Sequence, residues 1–206
     1  MEMKICKDSG ELATETSSWC LDKIKTTQAR SIYLPAGNTP IPVYQQWTQN
    51  PPDFLNKLKL IQIDDVLTGS KSGIFKEFLM QHLPKQKEHF HWIGDKYNQA
   101  DLAILGLGLN GHIAFHEPEL PKNFYSGCVR LSDKTCETLK VEPATWGVTY
   151  GASAFLKTKA ILILVSGEAK RDVLQRFLRK DPTLPASALH EHNDFTILAD
   201  RAASGN

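Results

Sequence analysis

Apolar positions along this chain come in two patterns: short, mostly apolar runs, and longer stretches in which they return every three or four residues. Ser31–Leu34, Lys59–Ile63, Asp101–Leu105, Ala160–Val165 and Phe195–Leu198 are runs of the first kind. Such runs, bounded by polar or glycine-containing turns, predict strands buried on both faces of a sheet. Residues 9–28, with Leu12, Ala13, Trp19, Cys20 and Ile24 at helical intervals, predict a helix ahead of the first run. A second helix is predicted from Pro40 to Thr48, with Thr39 as N-cap, Pro40 as first residue, and Val43, Tyr44 and Trp47 facing the core. Gly73–His82, with Ile74, Phe78 and Leu79 on one side, and the basic segment from Glu168 to about Arg179 predict two more.

Strand, turn and helix therefore alternate, which predicts an α/β fold: a mostly parallel, doubly wound, Rossmann-like sheet flanked by helices. Residues 1–206 are expected to form one domain, since this length supports one sizeable core and neither a repeat nor a linker interrupts it. Residues 117–147 resist assignment, because Pro118, Pro121, Gly127 and Pro143 break every periodic run. They read as an active-site wall or a surface excursion.

Charge narrows the choice of ligand. The formal net charge is +1, so no bulk field draws the chain to nucleic acid or to an anionic membrane, and any anion must be captured locally. Cys6, Cys20, Cys128 and Cys136 form no CxxC pair, which argues against a zinc site or a disulfide framework. No signal-peptide pattern and no membrane-spanning run is found, so a cytoplasmic location is the default expectation.

The candidate chemistry gathers where strands end. Gly106-Leu-Gly-Leu-Asn-Gly-His-Ile-Ala-Phe-His-Glu117 follows a strand and supplies His112 and Glu117 five residues apart, with glycines that permit close backbone approach. Histidine exchanges protons near neutrality, and a nearby carboxylate would orient its ring. Asn110 reads as a turn residue or a substrate contact, and His116 as a substrate contact or loop decoration. Asp64 and Asp65 end an otherwise apolar strand, so one of them stands at the carboxyl edge of the sheet, as a general base or as a turn aspartate. Ala36, Gly37, Asn38 and Thr39 precede a helix N-terminus, where free N–H groups favour a phosphate, although a plain capped turn has the same composition. Lys170 falls in the first turn of a helix, a poor place for a cation unless an anion compensates. Arg130, Lys134 and Arg171 are further cations without a better local argument.

Taken in order, LPAGNTP, IQIDD, LGLGLNGHIAFHEP, ILILVSGEAK and LPASALHEHND resemble the glucosamine-6-phosphate deaminase (isomerase) family, over nearly the whole chain. That family is grouped with 6-phosphogluconolactonases and is similar to ribose-5-phosphate isomerase. The resemblance implies an amino-sugar-6-phosphate deaminase of aldose–ketose isomerase type, yielding a ketohexose 6-phosphate and ammonia. It implies Asp64 as the base at sugar C2, His112 with Glu117 as the ring-opening pair, and residues 36–39 with Lys170 as the phosphate grip. It implies a small sugar phosphate as partner and neither a metal nor an organic cofactor, and it leaves a homo-oligomer open. A 6-phosphogluconolactonase-type hydrolase and a non-catalytic sugar-phosphate-binding protein are the competing readings. Asn110 stands where many glucosamine-specific members have aspartate, which resembles galactosamine-6-phosphate isomerase-type members. The chain is also short on both sides of the His112 loop, where a lid or an allosteric arm would lie.

Overall fold

A computed structural model describes residues 1–94 and 98–205. In chain order its elements are β1 (Glu2–Cys6), α1 (Ser9–Thr27), β2 (Ser31–Leu34), α2 (Ile41–Gln49), β3 (Lys59–Gln62), β4 (Asp64–Val66), α3 (Ile74–His82), β5 (Phe90–His91) and β6 (Leu102–Gly106). There follow β7 (Ser126–Arg130), α4 (Asp133–Leu139), β8 (Trp146–Tyr150), α5 (Ala152–Phe155), β9 (Ala160–Val165), α6 (Arg171–Leu178), β10 (Phe195–Asp200) and α7 (Arg201–Ser204). Seven strands form one parallel sheet in the order β1-β10-β9-β6-β2-β3-β5.

Both faces of that sheet are covered, and the mostly apolar runs follow from this. Ile32, Leu34, Leu102, Ile104, Leu162 and Leu164 share one cluster with Leu12, Trp19, Val43, Tyr44 and Trp47 of α1 and α2. The alternate positions Tyr33, Ala103, Leu105, Ile161 and Ile163 pack with Phe155, Val173, Leu174 and Phe177 of α5 and α6. A strand with helices on both sides keeps no polar face, so its sequence shows no alternation.

The strand order also locates a crevice. From β2 the chain runs outward through β3 to β5, whereas from β6 it runs the opposite way through β9 to β10. The reversal falls between β2 and β6, and ligands of open α/β sheets bind outside the carboxyl ends at such a switch point.

Several expectations need correction. Helix α2 starts at Ile41 with Pro40 as N-cap, and Thr39 makes no capping bond, because the Ile41 N–H is already taken by the Asn38 carbonyl at 3.2 Å. Asp64 and Asp65 do not end a strand in a turn. They open β4, which leaves the main sheet and pairs antiparallel with β8, opposite Thr149 and Val148. The unassigned 117–147 stretch holds β7 and α4, with β8 beginning at Trp146, and β4-β8-β7 is a second, three-stranded sheet. Beneath it Val66, Phe115, Val129, Leu131 and Cys136 form a cluster of their own. Ile74 of α3 packs on this cluster while Phe78 packs on the main one, so α3 joins the two rather than presenting a single face. The basic segment at 168 begins as a 3-10 turn, Glu168–Lys170, before α6. Edge strand β1 interleaves Met3 and Ile5 with charged Glu2 and Lys4 and buries only Cys6, and β5 is two residues long, so neither stands out in sequence. Cys6, Cys20, Cys128 and Cys136 are all free thiols.

Candidate active site

The loop after β2 and the loop after β6 leave the carboxyl ends of adjacent parallel strands, at the switch point. Gly37 adopts φ of 106°, open to glycine with little strain. The Tyr44 hydroxyl donates to the Pro35 carbonyl at 2.7 Å and ties the loop to α2. The N–H groups of Ala36, Gly37, Asn38 and Thr39 donate to no group among the described residues, and α2 has neither a side-chain cap nor an acidic residue in its first turn. This concave run of free donors suits an anion.

The loop after β6 is shaped around His112. The Gly108 N–H donates to the His112 carbonyl at 2.9 Å and the Gly111 N–H to the Gly108 carbonyl at 3.0 Å. A Cβ on Gly108 would lie 2.5 Å from Cδ2, Cε1 and Nε2 of the His112 ring, so the ring occupies the space glycine leaves. Gly111 has φ of 80° and sits against Leu184, whose side chain a Cβ would meet at 2.6 Å. The motif's glycines thus seat the histidine, while Gly106 has open space around it.

His112 and Glu117 come together, though without the expected hydrogen bond. His112 Nδ1 lies 3.8 Å from Glu117 Oε2, beyond hydrogen-bond range, and this buried nitrogen has no other partner among the described residues. The His112 side chain keeps 30% of its surface open, so the nitrogen is shut away while part of the ring remains accessible. Glu117, 3% exposed, already accepts from Asn110 Nδ2 at 2.8 Å, from Ser132 Oγ at 3.2 Å and from Thr135 Oγ1. Burial lowers the His112 pKa from its ordinary value; Glu117 opposes this, and the Lys170 and Lys134 ammonium groups reinforce it. The imidazole is therefore held neutral, ready to accept a proton.

The neighbouring acids separate by environment. Asp65 Oδ1 accepts from Val66 N at 2.8 Å and Phe75 N at 3.0 Å, and Oδ2 from Gln62 Nε2 at 2.8 Å and Lys76 N at 3.1 Å. It ties β4 to the start of α3 and has no spare acceptor. The Asp64 carboxyl is buried and accepts no hydrogen bond among the described residues. Burial, and then the Asp65 charge, push its pKa well above the usual carboxylate range. Asp64 lies opposite Thr149, whose Oγ1 accepts from the Phe115 N–H at 3.0 Å, so the acid is one strand from the loop carrying His112 and Glu117. Its charge also reaches Tyr44 on α2 and contributes to raising that phenol's pKa.

Lys170 lies in the 3-10 turn ahead of α6 rather than in the first turn of an α-helix, and one of its three N–H donors is engaged. It ends the 3-10 turn, and its Nζ donates to the Leu107 carbonyl at 2.5 Å, which brings the cation from the β9 side to the β6 loop. Partial burial lowers its pKa from the usual lysine value. His116 is 2% exposed, and its Nδ1 accepts from Ala152 N at 2.9 Å. Asn110 is occupied as well, with Oδ1 accepting from the His112 N–H at 3.2 Å and Nδ2 on Glu117. Arg130 is exposed on β7, and Arg171 pairs with Glu168 at 3.7 Å. Ser132 and Thr135 escape a sequence reading: Ser132 also caps α4, and nothing local links the pair to an acid at least fifteen residues away. No group of acids, histidines or cysteines among the described residues suits a metal ion, and no described helix is long and apolar enough to cross a membrane.

The carboxyl edge of this doubly wound sheet thus carries a histidine, an acid with no hydrogen-bond donor among the described residues and a run of free backbone N–H groups. The model of the glucosamine-6-phosphate isomerase/6-phosphogluconolactonase family matches residues 81–198, a span that includes His112, Glu117 and Lys170. The chain is 27% identical over 238 aligned positions to a glucosamine-6-phosphate deaminase of Clostridium novyi (strain NT), covering 99% of each chain. It is 31% identical over 203 positions to one of Streptococcus pneumoniae serotype 4, covering 85% of this chain and 87% of the relative. A solved monomeric glucosamine-6-phosphate deaminase superposes with a TM-score of 0.81 at 24% identity over 100% of this chain and 99% of the other. The 6-phosphogluconolactonase of Leishmania guyanensis superposes at 0.77 with 16% identity over 98% and 97%. The chain belongs to the glucosamine-6-phosphate isomerase/6-phosphogluconolactonase family.

Proposed function

We propose that this chain is an amino-sugar-6-phosphate deaminase of isomerase type, converting a 2-amino-2-deoxyhexose 6-phosphate and water to a ketohexose 6-phosphate and ammonia. The observation that carries the reading is the contrast between adjacent acids: Asp65 is saturated with donors while Asp64, buried at the same sheet edge as His112, accepts none. A buried carboxylate with a raised pKa and a neutral histidine are a matched base and proton relay.

In this proposal the sugar phosphate docks on residues 36–39 and Lys170. His112, backed by Glu117, moves the anomeric hydroxyl proton to the ring oxygen and opens the ring. Asp64 then takes the proton from C2. The electron pair forms a double bond between C2 and C1 with the charge on O1; Asp64 returns its proton to C1 while a proton passes from the amino nitrogen to O1 by way of His112, leaving an imine at C2. Water adds to that carbon and ammonia departs. Charge develops next to a carbonyl, where positioned hydrogen bonds suffice to stabilise it.

The named deaminase relatives support the gluco epimer, and the galacto epimer is the competing substrate. Ammonia release from glucosamine 6-phosphate and galactosamine 6-phosphate, beside hydrolysis of 6-phosphogluconolactone, is the test. Turnover of either amino sugar supports the proposal and ranks the epimers. Lactone hydrolysis alone selects the hydrolase, and a rise in melting temperature with sugar phosphate but no turnover selects a binding protein.

A further inference from the structure

We infer that Asn110 and Thr135 are positioning residues that, with Ser132, hold the Glu117 carboxylate in a three-donor cradle facing the unpartnered Nδ1 of His112. The inference rests on the reading of His112 and Glu117 as the proton-transfer pair, and it assigns Asn110 a purpose other than substrate contact.

The geometry of Asn110 leaves one orientation. Its Oδ1 accepts from the His112 backbone N–H at 3.2 Å, so its Nδ2 must be the group that meets Glu117 Oε2 at 2.8 Å. One amide thereby fixes the histidine's main chain relative to the acid's side chain. Neither a carboxylate nor an alkyl group can accept from one and donate to the other. On the opposite side, Ser132, the N-cap of α4, and Thr135 within it both donate to Oε1, and Ser132 Oγ also receives the Thr135 N–H at 3.2 Å. Glu117 Oε2 then stands 3.8 Å from His112 Nδ1, close enough to act on a developing imidazolium charge yet outside hydrogen-bond range in this state. A modest closure of this gap when the ring takes a proton would complete the pair. The small sheet and α4, which look like a surface excursion in sequence, thus supply half of the cradle.

In this chain the amide makes both bonds at once, which an ionised aspartate does not. Asn110→Asp puts a second carboxylate oxygen where the amide nitrogen sits, 2.8 Å from Glu117 Oε2. Two carboxylates so close share a proton. While the shared proton is present, the substituted carboxyl can still donate to Glu117. Once it leaves at higher pH, repulsion opens the cradle and the added negative charge favours protonated His112. The charged or titratable groups bearing on this cluster are Glu117, Lys134 and Lys170 around His112, with His116 beside Glu117.

The test compares wild type with Asn110→Asp, Asn110→Ala, Thr135→Val and Thr135→Ser. One readout is the pH profile of kcat and KM for ammonia release. The other is the His112 ring titration followed by 15N NMR without substrate, assigned by difference from His112→Gln. Thr135→Val is expected to lower kcat by about tenfold to a hundredfold with KM little changed, as a misplaced catalytic partner does, and Thr135→Ser recovers most of that loss. Asn110→Asp is expected to track the wild type at acid pH and to lose activity as pH rises, with the His112 titration moved upward; Asn110→Ala is low throughout. A Thr135→Val variant with wild-type kcat and His112 titration, or an Asn110→Asp variant with the wild-type profile, overturns the inference. If the wild type releases no ammonia, the deaminase reading fails, and the substrate-free titrations still decide the cradle.

Discussion

Replacing Asp64 and Asp65 in turn by asparagine gives two adjacent, nearly isosteric changes with opposite consequences. Asp65 receives two N–H donors on each oxygen. An amide there turns one oxygen into an NH2 group facing two donors, and each orphaned buried donor costs about 1–3 kcal/mol. Asp65→Asn is therefore expected to lose about 2–6 kcal/mol and, at this chain length, to melt roughly 5–20 °C lower, while molecules that stay folded keep turnover within about tenfold. Asp64 accepts nothing among the described residues, and its raised pKa means the folded chain binds that proton more tightly than the unfolded chain. This group costs nothing well below the ordinary carboxyl value of 3.8, and stability falls as pH rises from there through the raised folded-state value. Asp64→Asn removes that cost, so it should melt higher than the wild type at neutral pH, with the gap closing in acid. Its turnover should fall by about 10²–10⁴-fold, the span of a lost general base. Ammonia-release kinetics and melting curves at two pH values measure all four quantities. Wild-type turnover in Asp64→Asn, or a turnover loss in Asp65→Asn without loss of stability, would refute the division of labour.

Gly108→Ala places a methyl 2.5 Å from three atoms of the His112 ring at a position without positive φ, so kcat should drop by about a hundredfold with little change in melting temperature. Lys170→Met removes the cation held on the Leu107 carbonyl; KM for the sugar phosphate should rise by about tenfold to a hundredfold, the worth of one charged hydrogen bond, and an unchanged KM removes Lys170 from the phosphate grip. His112 has a folded-state pKa below its ordinary 6.5, so stability from this group is present above 6.5 and is lost as pH falls through the folded-state value. His112→Gln should accordingly gain stability relative to wild type only below that range, as pH-dependent melts would record, and an acid limb of kcat/KM above 6.5 would contradict a neutral ring.

Much of the main sheet is legible in the sequence because its strands are buried on both faces and its helices repeat at their own period; Ser31–Leu34 and Ala160–Val165 are recovered residue for residue. The edge strand β1, with a single buried residue, and the second sheet are not, since their pairing partners are distant in sequence. Of the candidate site, the residue types and their order are legible, as is glycine ahead of His112. Which of Asp64 and Asp65 is free is not, because the answer depends on where the N–H groups of Phe75 and Lys76 point after α3 has packed.

The amino-acid sequence alone determined that this is a layered α/β chain whose glycines, acids and histidine collect at strand ends, since periodicity and turn chemistry act over a few residues. Only the tertiary structure decided that β4 turns away to build a second sheet, that α4 reaches back to grip Glu117, and that His116 is buried while His112 keeps an open side. Burial and the direction of a hydrogen bond are set by neighbours brought together from far along the chain, and no local pattern encodes them.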